Sequence, residues 1–363
     1  MTFLFYFFIE ISSIGLFYFG QSNLKYKEAF QFLSFCILYF VLVLRDYSVG
    51  ADYQNYIYAI NRIANKSILA TDNNWLGLGF RSFVKLIAII FNRNYYPLIF
   101  SVFIISIISL VTLFFFFKSF NKLSVNPTFS LYLFLCFCLY FQLMNQFRQM
   151  FAVSLVLYSY TYVNKSFMKY ALCILIAASF HQTAIIMLPM FFLAKLNINK
   201  KTLTSYFIVA ILVSLFAVKI RILLQYTTYS NYLGWTQYDV GMTSTTIINL
   251  VIRLFLLVLC IFKYKEVVNK DKKSNYLYHM IIICTIFQVL SVQSSLFTRI
   301  TTYFFVFYII LIPKVTDVYK EYITSSSIKI YNLLIYILFM TYQIIYYLYQ
   351  STNGGYAVYK SIF

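Results

Sequence analysis

Apolar runs of roughly membrane-spanning length recur from one end of the chain to the other, which restricts it to an all-α polytopic integral membrane protein. In hydrocarbon each backbone N–H and C=O must be satisfied within the protein, so such runs fold as helices. The candidate spans are 3–19, 29–44, 96–117, 128–145, 147–163, 168–180 with 182–196, 203–218, 246–264, 275–292, 300–314 and 330–348, about 11–12 helices with broken or re-entrant segments counted. Hydrophobic residues make up 62% of the chain and charged ones 11%, which leaves no stretch for a soluble domain. Residues 1–363 therefore read as a single transmembrane domain, with Met1 to Phe19 as a retained first span rather than a signal peptide.

Two segments break the pattern. Gly79 to Phe91 is too short to cross a bilayer unaided and lies within an outer loop, 45–78 with 79–91, as an amphipathic or re-entrant helix. Met168 to Lys195 is too long for one upright span and is interrupted by Ser179-Phe180-His181-Gln182-Thr183 and then Pro189. Two half-helices meeting at a polar break fit it, since such breaks survive in lipid only where protein or a wet cavity covers them.

The net charge of +19 would suggest nucleic acid in a soluble protein, but here it comes mostly from lysines in short connections, where it acts as a topology signal. If 168–196 is a hairpin, the lysines at 25 and 27, 118 and 122, 165 and 169, 195 to 201, 263 to 273 and 314 to 320 all fall on one side. That side is then cytoplasmic, with both termini outside. The opposite face keeps Arg45, Asp46, Asp52, Arg148, His181, Asp239 and Arg299, with Arg253 inside a span. It also carries the long polar connection 225–245 with Trp235, while Trp75 stands in the other outer loop; interfacial belts explain both tryptophans without any function and are the plainer reading, with sugar stacking the sharper alternative.

The six cysteines, at 36, 136, 138, 173, 260 and 284, sit in apolar runs without metal-ligand spacing and read as small apolar fillers. No Walker loop, dinucleotide fingerprint or internal repeat is present, so no metal and no cofactor is expected.

The chemistry concentrates in arginine. Arg253 lies about two turns, roughly 10 Å, into its span. At that depth a charge requires a partner, for which Glu10, Asp46 and Asp52 are available, or a wet cavity. Arg148 opens a span, and Arg299 opens another, where snorkelling is the plainer reading. Several guanidinium groups with few acids to neutralise them call for an anionic ligand, and their bidentate fork suits a pyrophosphate. Arg45 is either a fourth contact or the partner of Asp52. His181, at the polar break, is the first candidate for a general base, with Asp46 or Asp52 next; a packed core histidine is the competing reading.

Arg45-Asp46 with Val49-Gly50-Ala51-Asp52-Tyr53-x-x-Tyr56, then Phe147-Arg148-Gln149-x-x-Ala152, then Ser179-Phe180-His181-Gln182-Thr183-Ala184, then Arg299-Ile300-x-x-Tyr303-Phe304 together resemble the ordered signature of the EpsG family of Wzy-type bacterial polysaccharide polymerases. The resemblance runs through nearly the whole chain and departs at Ala51 and at Met150-Phe151, where other residues are usual. It implies a membrane glycosyltransferase of the bacterial inner membrane that moves a growing glycan from undecaprenyl pyrophosphate onto the non-reducing end of a lipid-linked repeat unit at the outer face. It also implies a chain-length regulator and a repeat-unit flippase as partners, with capsule, O-antigen or exopolysaccharide as product. On this reading Arg45, Arg148, Arg253 and Arg299 hold pyrophosphate, and Tyr53, Gln149, Trp235 and Tyr303 are candidate sugar contacts. A flippase or transporter of the lipid-linked oligosaccharide, or an O-antigen ligase or O-acetyltransferase, are the alternatives.

Overall fold

The structure, a computed structural model, describes residues 2–66, 76–91, 96–224, 244–292, 296–352 and 360–361. Trp75, Trp235 and Asp239 lie outside the described residues, as does most of the 225–245 connection. In chain order the helices are α1 (Thr2–Ser22), α2 (Lys27–Val43), α3 (Tyr53–Asn65), α4 (Leu78–Ile90), α5 (Pro97–Leu123), α6 (Pro127–Cys136), α7 (Leu139–Asn145), α8 (Phe147–Ser159), α9 (Phe167–Phe180), α10 (Lys200–Leu224), α11 (Ser244–Ile261), α12 (Tyr264–Lys270), α13 (Ser274–Ser291), α14 (Leu296–Phe305), α15 (Tyr308–Lys320) and α16 (Ile328–Thr352). Among the described residues there is no strand, and the chain is an all-α polytopic membrane protein. Among the described residues five helices are long and apolar enough to span alone, and up to eight spans result when each bent pair counts as one. The helices group into two compact units, residues 1–158 with 179–181 and 323–363, and residues 159–178 with 182–322.

In the first unit α1 and α2 form a hairpin. Ser13 Oγ and Ser34 Oγ meet at 2.8 Å between them, the small polar contact that lets membrane helices approach closely. α5 and α6 each begin on a proline, in the first turn where a missing N–H breaks no intrahelical bond, and Asn126 Oδ1 caps α6 by accepting from the Phe129 amide at 3.0 Å. A 54° bend separates α6 from α7, with Cys138 in the left-handed region at φ 56°. One residue, Gln146, then separates α7 from α8. Glu10 of α1 is buried and accepts a 2.6 Å hydrogen bond from Gln343 Nε2 of α16, whose Oε1 lies 3.5 Å from the Cys136 thiol.

The loop 45–52 sits directly on the α7 terminus. Gly50 has φ 107°, and a Cβ there would come within 2.6 Å of the Met144 carbonyl oxygen, so glycine is required both for the backbone and for the approach. Helix α3 was expected as outer loop, because its average polarity resembles a connection. It forms because Tyr53, Tyr56, Ala59, Ile60, Ile63 and Ala64 recur on one buried face. The short amphipathic helix expected at 79–91 is α4, which buries Phe80, Arg81, Val84 and Ala88. Its Lys85 ammonium donates to the Ala64 and Lys66 carbonyls, both at 2.8 Å, closing the end of α3.

In the second unit α13 is buried along most of its length. Tyr276 stacks on Tyr160 with centroids 5.5 Å apart and hydrogen-bonds Tyr170 at 3.1 Å, while His279 bridges Tyr206 (2.6 Å) and the Leu196 carbonyl (2.7 Å). The polar break appears where the sequence places it, at the end of α9. Beyond it the chain runs on as 3₁₀ turns, Gln182–Met187 and Pro189–Lys195, in place of a second α-helical half, consistent with Pro189 lacking the amide that an α-helix needs there. Asp271, between α12 and α13, accepts from Lys314 Nζ (2.5 Å), Ser274 Oγ (2.9 Å) and the Lys273 amide (3.0 Å). Partial burial pushes its carboxyl upward, but the lysine and the two other donors outweigh this and hold it below the ordinary range.

Three outcomes are expected from thermal unfolding in detergent. Gly50→Ala costs about 1–3 kcal/mol for the strained φ, before any displacement of Met144, whereas Gly15→Ala is neutral or stabilising by up to about 1 kcal/mol, since nothing lies within 4 Å of a Cβ at that helical site. Gln343→Leu costs about 1–3 kcal/mol by stranding the buried Glu10 carboxyl, and Glu10→Leu combined with it recovers most of the loss. The Asp271 carboxylate contributes stability in full above its unfolded value of about 4 and loses it as the pH falls through the lower folded value. A melting series under acid should therefore be flatter for Asp271→Asn than for the parent.

Candidate functional site

Arg45, Asp46, Asp52, Tyr53, Arg148, Gln149 and His181, seven of the residues singled out in the sequence, lie in the first unit. Arg45 follows the end of α2 and is 1% exposed. Its guanidinium donates to the carbonyl of Leu42 and, at 3.1 Å, to that of Met144, and lies 4.5 Å from the centre of the Tyr53 ring. Asp46 folds the loop: its Oδ1 accepts from the Ser48 hydroxyl (2.6 Å) and amide (2.9 Å). Those two bonds hold its carboxyl below the ordinary range, with a smaller contribution from Lys360, which makes Asp46 a weak proton acceptor. Asp52 stands at the N-cap of α3, half-buried, and its amide donates to Asn145 Oδ1 at 2.8 Å.

The single-residue joint between α7 and α8 puts Arg148 in the first turn of α8. Its side chain is buried, 5% exposed, with the guanidinium carbon 5.2 Å from the centre of the Tyr56 ring and 5.4 Å from that of Phe80. Nη1 reaches the Phe180 carbonyl at 3.4 Å. Aromatic faces and a carbonyl dipole are what a desolvated guanidinium needs to stay charged without losing its directional N–H groups. The Phe180 ring packs on Phe151 at 4.3 Å, and Phe147 on Tyr56 at 4.4 Å, so Arg148 is set in an aromatic wall. His181, 8% exposed, comes next in the chain after the carbonyl that Arg148 contacts.

The polar break is held in this unit by two glycines. A Cβ on either Gly77 or Gly79 would collide with Ser179, with its carbonyl at Gly77 and with its hydroxyl at Gly79. Backbone therefore packs on backbone here, and the turn Ser179-Phe180-His181 is fixed against the start of α4. Arg81 of that helix is buried at 5% exposure beside Phe80. Arg81 is not among the residues that the sequence motifs single out; its signal is Gly77-x-Gly79-Phe80-Arg81, small residues ahead of a lone arginine in an apolar helix.

Arg253, Arg299 and Tyr303 belong to the second unit. Arg253 on α11 is 8% exposed and lies 4.7 Å from the centre of the Phe305 ring, with Nη1 3.3 Å from the Asn249 carbonyl. Among the described residues it forms no ion pair, and its Nε has no hydrogen-bond partner. The pairing considered with Glu10 is not made, since that carboxyl is held by Gln343. Arg299 is half-buried on α14, and Tyr303, one turn on, is fully buried with its hydroxyl 3.4 Å from Thr183 Oγ1. Among the described residues no group of three or more His, Cys, Asp or Glu side chains is placed to hold a metal.

No curated protein and no solved structure compared with the chain matches it. The EpsG family model matches residues 28–361, from the start of α2 to the far end of the described chain, and so includes every one of the four motifs. The chain therefore belongs to the EpsG family, the family of Wzy-type polysaccharide polymerases.

Proposed function

We propose that this protein lengthens a polysaccharide by transferring a growing glycan from undecaprenyl pyrophosphate to the non-reducing end of a lipid-linked repeat unit, at the outer face of a bacterial inner membrane. The observation that carries the reading is Arg148, a buried guanidinium over two aromatic rings, bound at the carbonyl that precedes His181. A fixed positive charge, with an imidazole one residue beyond the carbonyl it contacts, is the minimum that glycosyl transfer from a lipid pyrophosphate requires.

In the proposed step His181 takes the proton of the acceptor hydroxyl as the oxygen attacks the anomeric carbon. The bond from that carbon to the pyrophosphate oxygen breaks, and its electron pair leaves on the pyrophosphate. Arg148 stabilises that developing charge through a bidentate contact. Asp52 ranks behind His181 as base, and Asp46 last, because Ser48 already occupies its carboxylate. Arg253 and Arg299 are proposed as further contacts to anionic groups, Arg253 because it is buried with no ion-pair partner among the described residues. Tyr53 and Tyr303, both buried, and Gln149 remain proposed sugar contacts through their polar tips. No metal is assigned a role, since guanidinium groups supply the charge. The lysine distribution supports a topology with both termini outside.

The test is reconstitution of the purified protein in liposomes with lipid-linked repeat units, followed by gel analysis of the glycan. A ladder insensitive to chelator is expected. Arg148→Ala should lower the rate by about 10²–10³-fold and His181→Ala by about 10²–10⁴-fold, each with normal insertion. Repeat units that cross the bilayer without being joined would overturn the polymerase reading in favour of transport. A normal ladder from either variant would remove that residue from the mechanism.

A further inference from the structure

The Arg45–Tyr53 loop carries an arginine and two carboxylates, yet the Arg45 guanidinium is turned to backbone carbonyls. The last carbonyls of a helix have no intrahelical partner and carry the negative end of the dipole. Leu42 is in the last turn of α2 and Met144 in the last turn of α7, and the Arg45 guanidinium donates to both while lying over Tyr53, the first residue of α3. One side chain thus ties three helix ends together.

The same Met144 carbonyl also packs closely on Gly50, where even a methyl group would come within 2.6 Å of it. The next residue, Asn145, receives the Asp52 amide at 2.8 Å. Asp46 keeps the loop in this shape through Ser48, and the Tyr53 amide closes it on the Gly50 carbonyl at 3.1 Å. Two residues beyond Asn145 the chain re-enters helix, its first turn held by the Met150 amide on the Gln146 carbonyl at 2.9 Å, and Arg148 lies within that turn. Only Asn145, Gln146 and Phe147 separate the Met144 peptide from Arg148.

We propose that Arg45 is a positioning residue: together with Gly50 it clamps the Met144 carbonyl and so aims Arg148, without touching the substrate itself. This rests on the role given above to Arg148 but goes beyond it, because it withdraws Arg45 from the pyrophosphate contacts and gives the loop a mechanical function. A misplacement of about 1 Å in a catalytic group costs on the order of 10²-fold in rate, so the clamp is worth that much to turnover even without contact.

The experiment combines hydrogen exchange with kinetics on the full chain in lipid nanodiscs. Arg45→Met is expected to speed amide exchange across residues 146–150 by about tenfold or more and to lower kcat by about 10²-fold with KM changed less than about threefold. Arg45→Lys, which reaches one carbonyl but not both, should fall between parent and Arg45→Met in both readouts. Arg45→Met added to Arg148→Lys should cost almost nothing beyond Arg148→Lys alone, because the two act as one unit. Unchanged exchange at 146–150, a raised KM with unchanged kcat, or fully multiplicative costs in the double variant would each overturn the clamp. If Arg45→Met does not insert, Arg45→Lys and Gly50→Ala carry the same readouts. Should the parent make no polymer at all, the polymerase reading fails, and exchange at 146–150 in these variants still decides whether the clamp exists.

Discussion

The structure depends on one constraint, that a carbonyl freed where a helix breaks cannot be left bare in a membrane. This chain breaks its helices repeatedly, at α6–α7, α7–α8, the end of α9, α11–α12 and α14–α15. The freed oxygens recruit long polar side chains. Arg45 covers Leu42 and Met144, Arg148 reaches Phe180, Lys85 closes Ala64 and Lys66, and in the second unit Asn275 and His279 converge on Leu196 at 2.6 and 2.7 Å. Cations suit this task because the exposed end of a helix is negative as well as unsatisfied.

That solution has a consequence for function. A cation capping a break is desolvated, fixed in direction and adjacent to irregular backbone, which is also the condition for binding a departing anion without reorganisation. Arg148 meets the first through the Phe180 carbonyl, and on the proposed reading it meets the second as well. Arg45, 1% exposed and with both Nη atoms turned to helix-end carbonyls, meets the first, and on the proposed reading only the first. The two arginines look equivalent in the sequence, and it is the geometry of their acceptors on which the proposed division into a binding and a positioning group rests.

Much of the fold was legible beforehand because spanning helices are selected by length and composition, both of which are local. The polar break after Phe180, the short helix at 79–91 and the burial of Arg253 all followed from the cost of polar groups in lipid. Helix α3 escaped because its apolar residues are few and lie on a single face, so it averages to a loop. The 3₁₀ winding of 182–195 escaped because the residue pattern shows that the helix is interrupted and leaves open how tightly the chain winds afterwards. Arg81 escaped because an isolated arginine in a short helix resembles a snorkelling one until Phe80 and the Gly77–Ser179 contact place it.

The sequence by itself determined the class, the approximate places of the helices and the family, since each is encoded in runs and ordered motifs read along the chain. Tertiary structure alone decided which acceptors each charged residue meets. Glu10 went to Gln343 and not to an arginine, Asp46 to Ser48, and Arg45 to two helix ends far apart in the chain. The physical reason is that a hydrogen bond or a ring contact depends on distances of a few ångströms between residues as far apart in the chain as Glu10 and Gln343, and neither composition nor spacing carries that information.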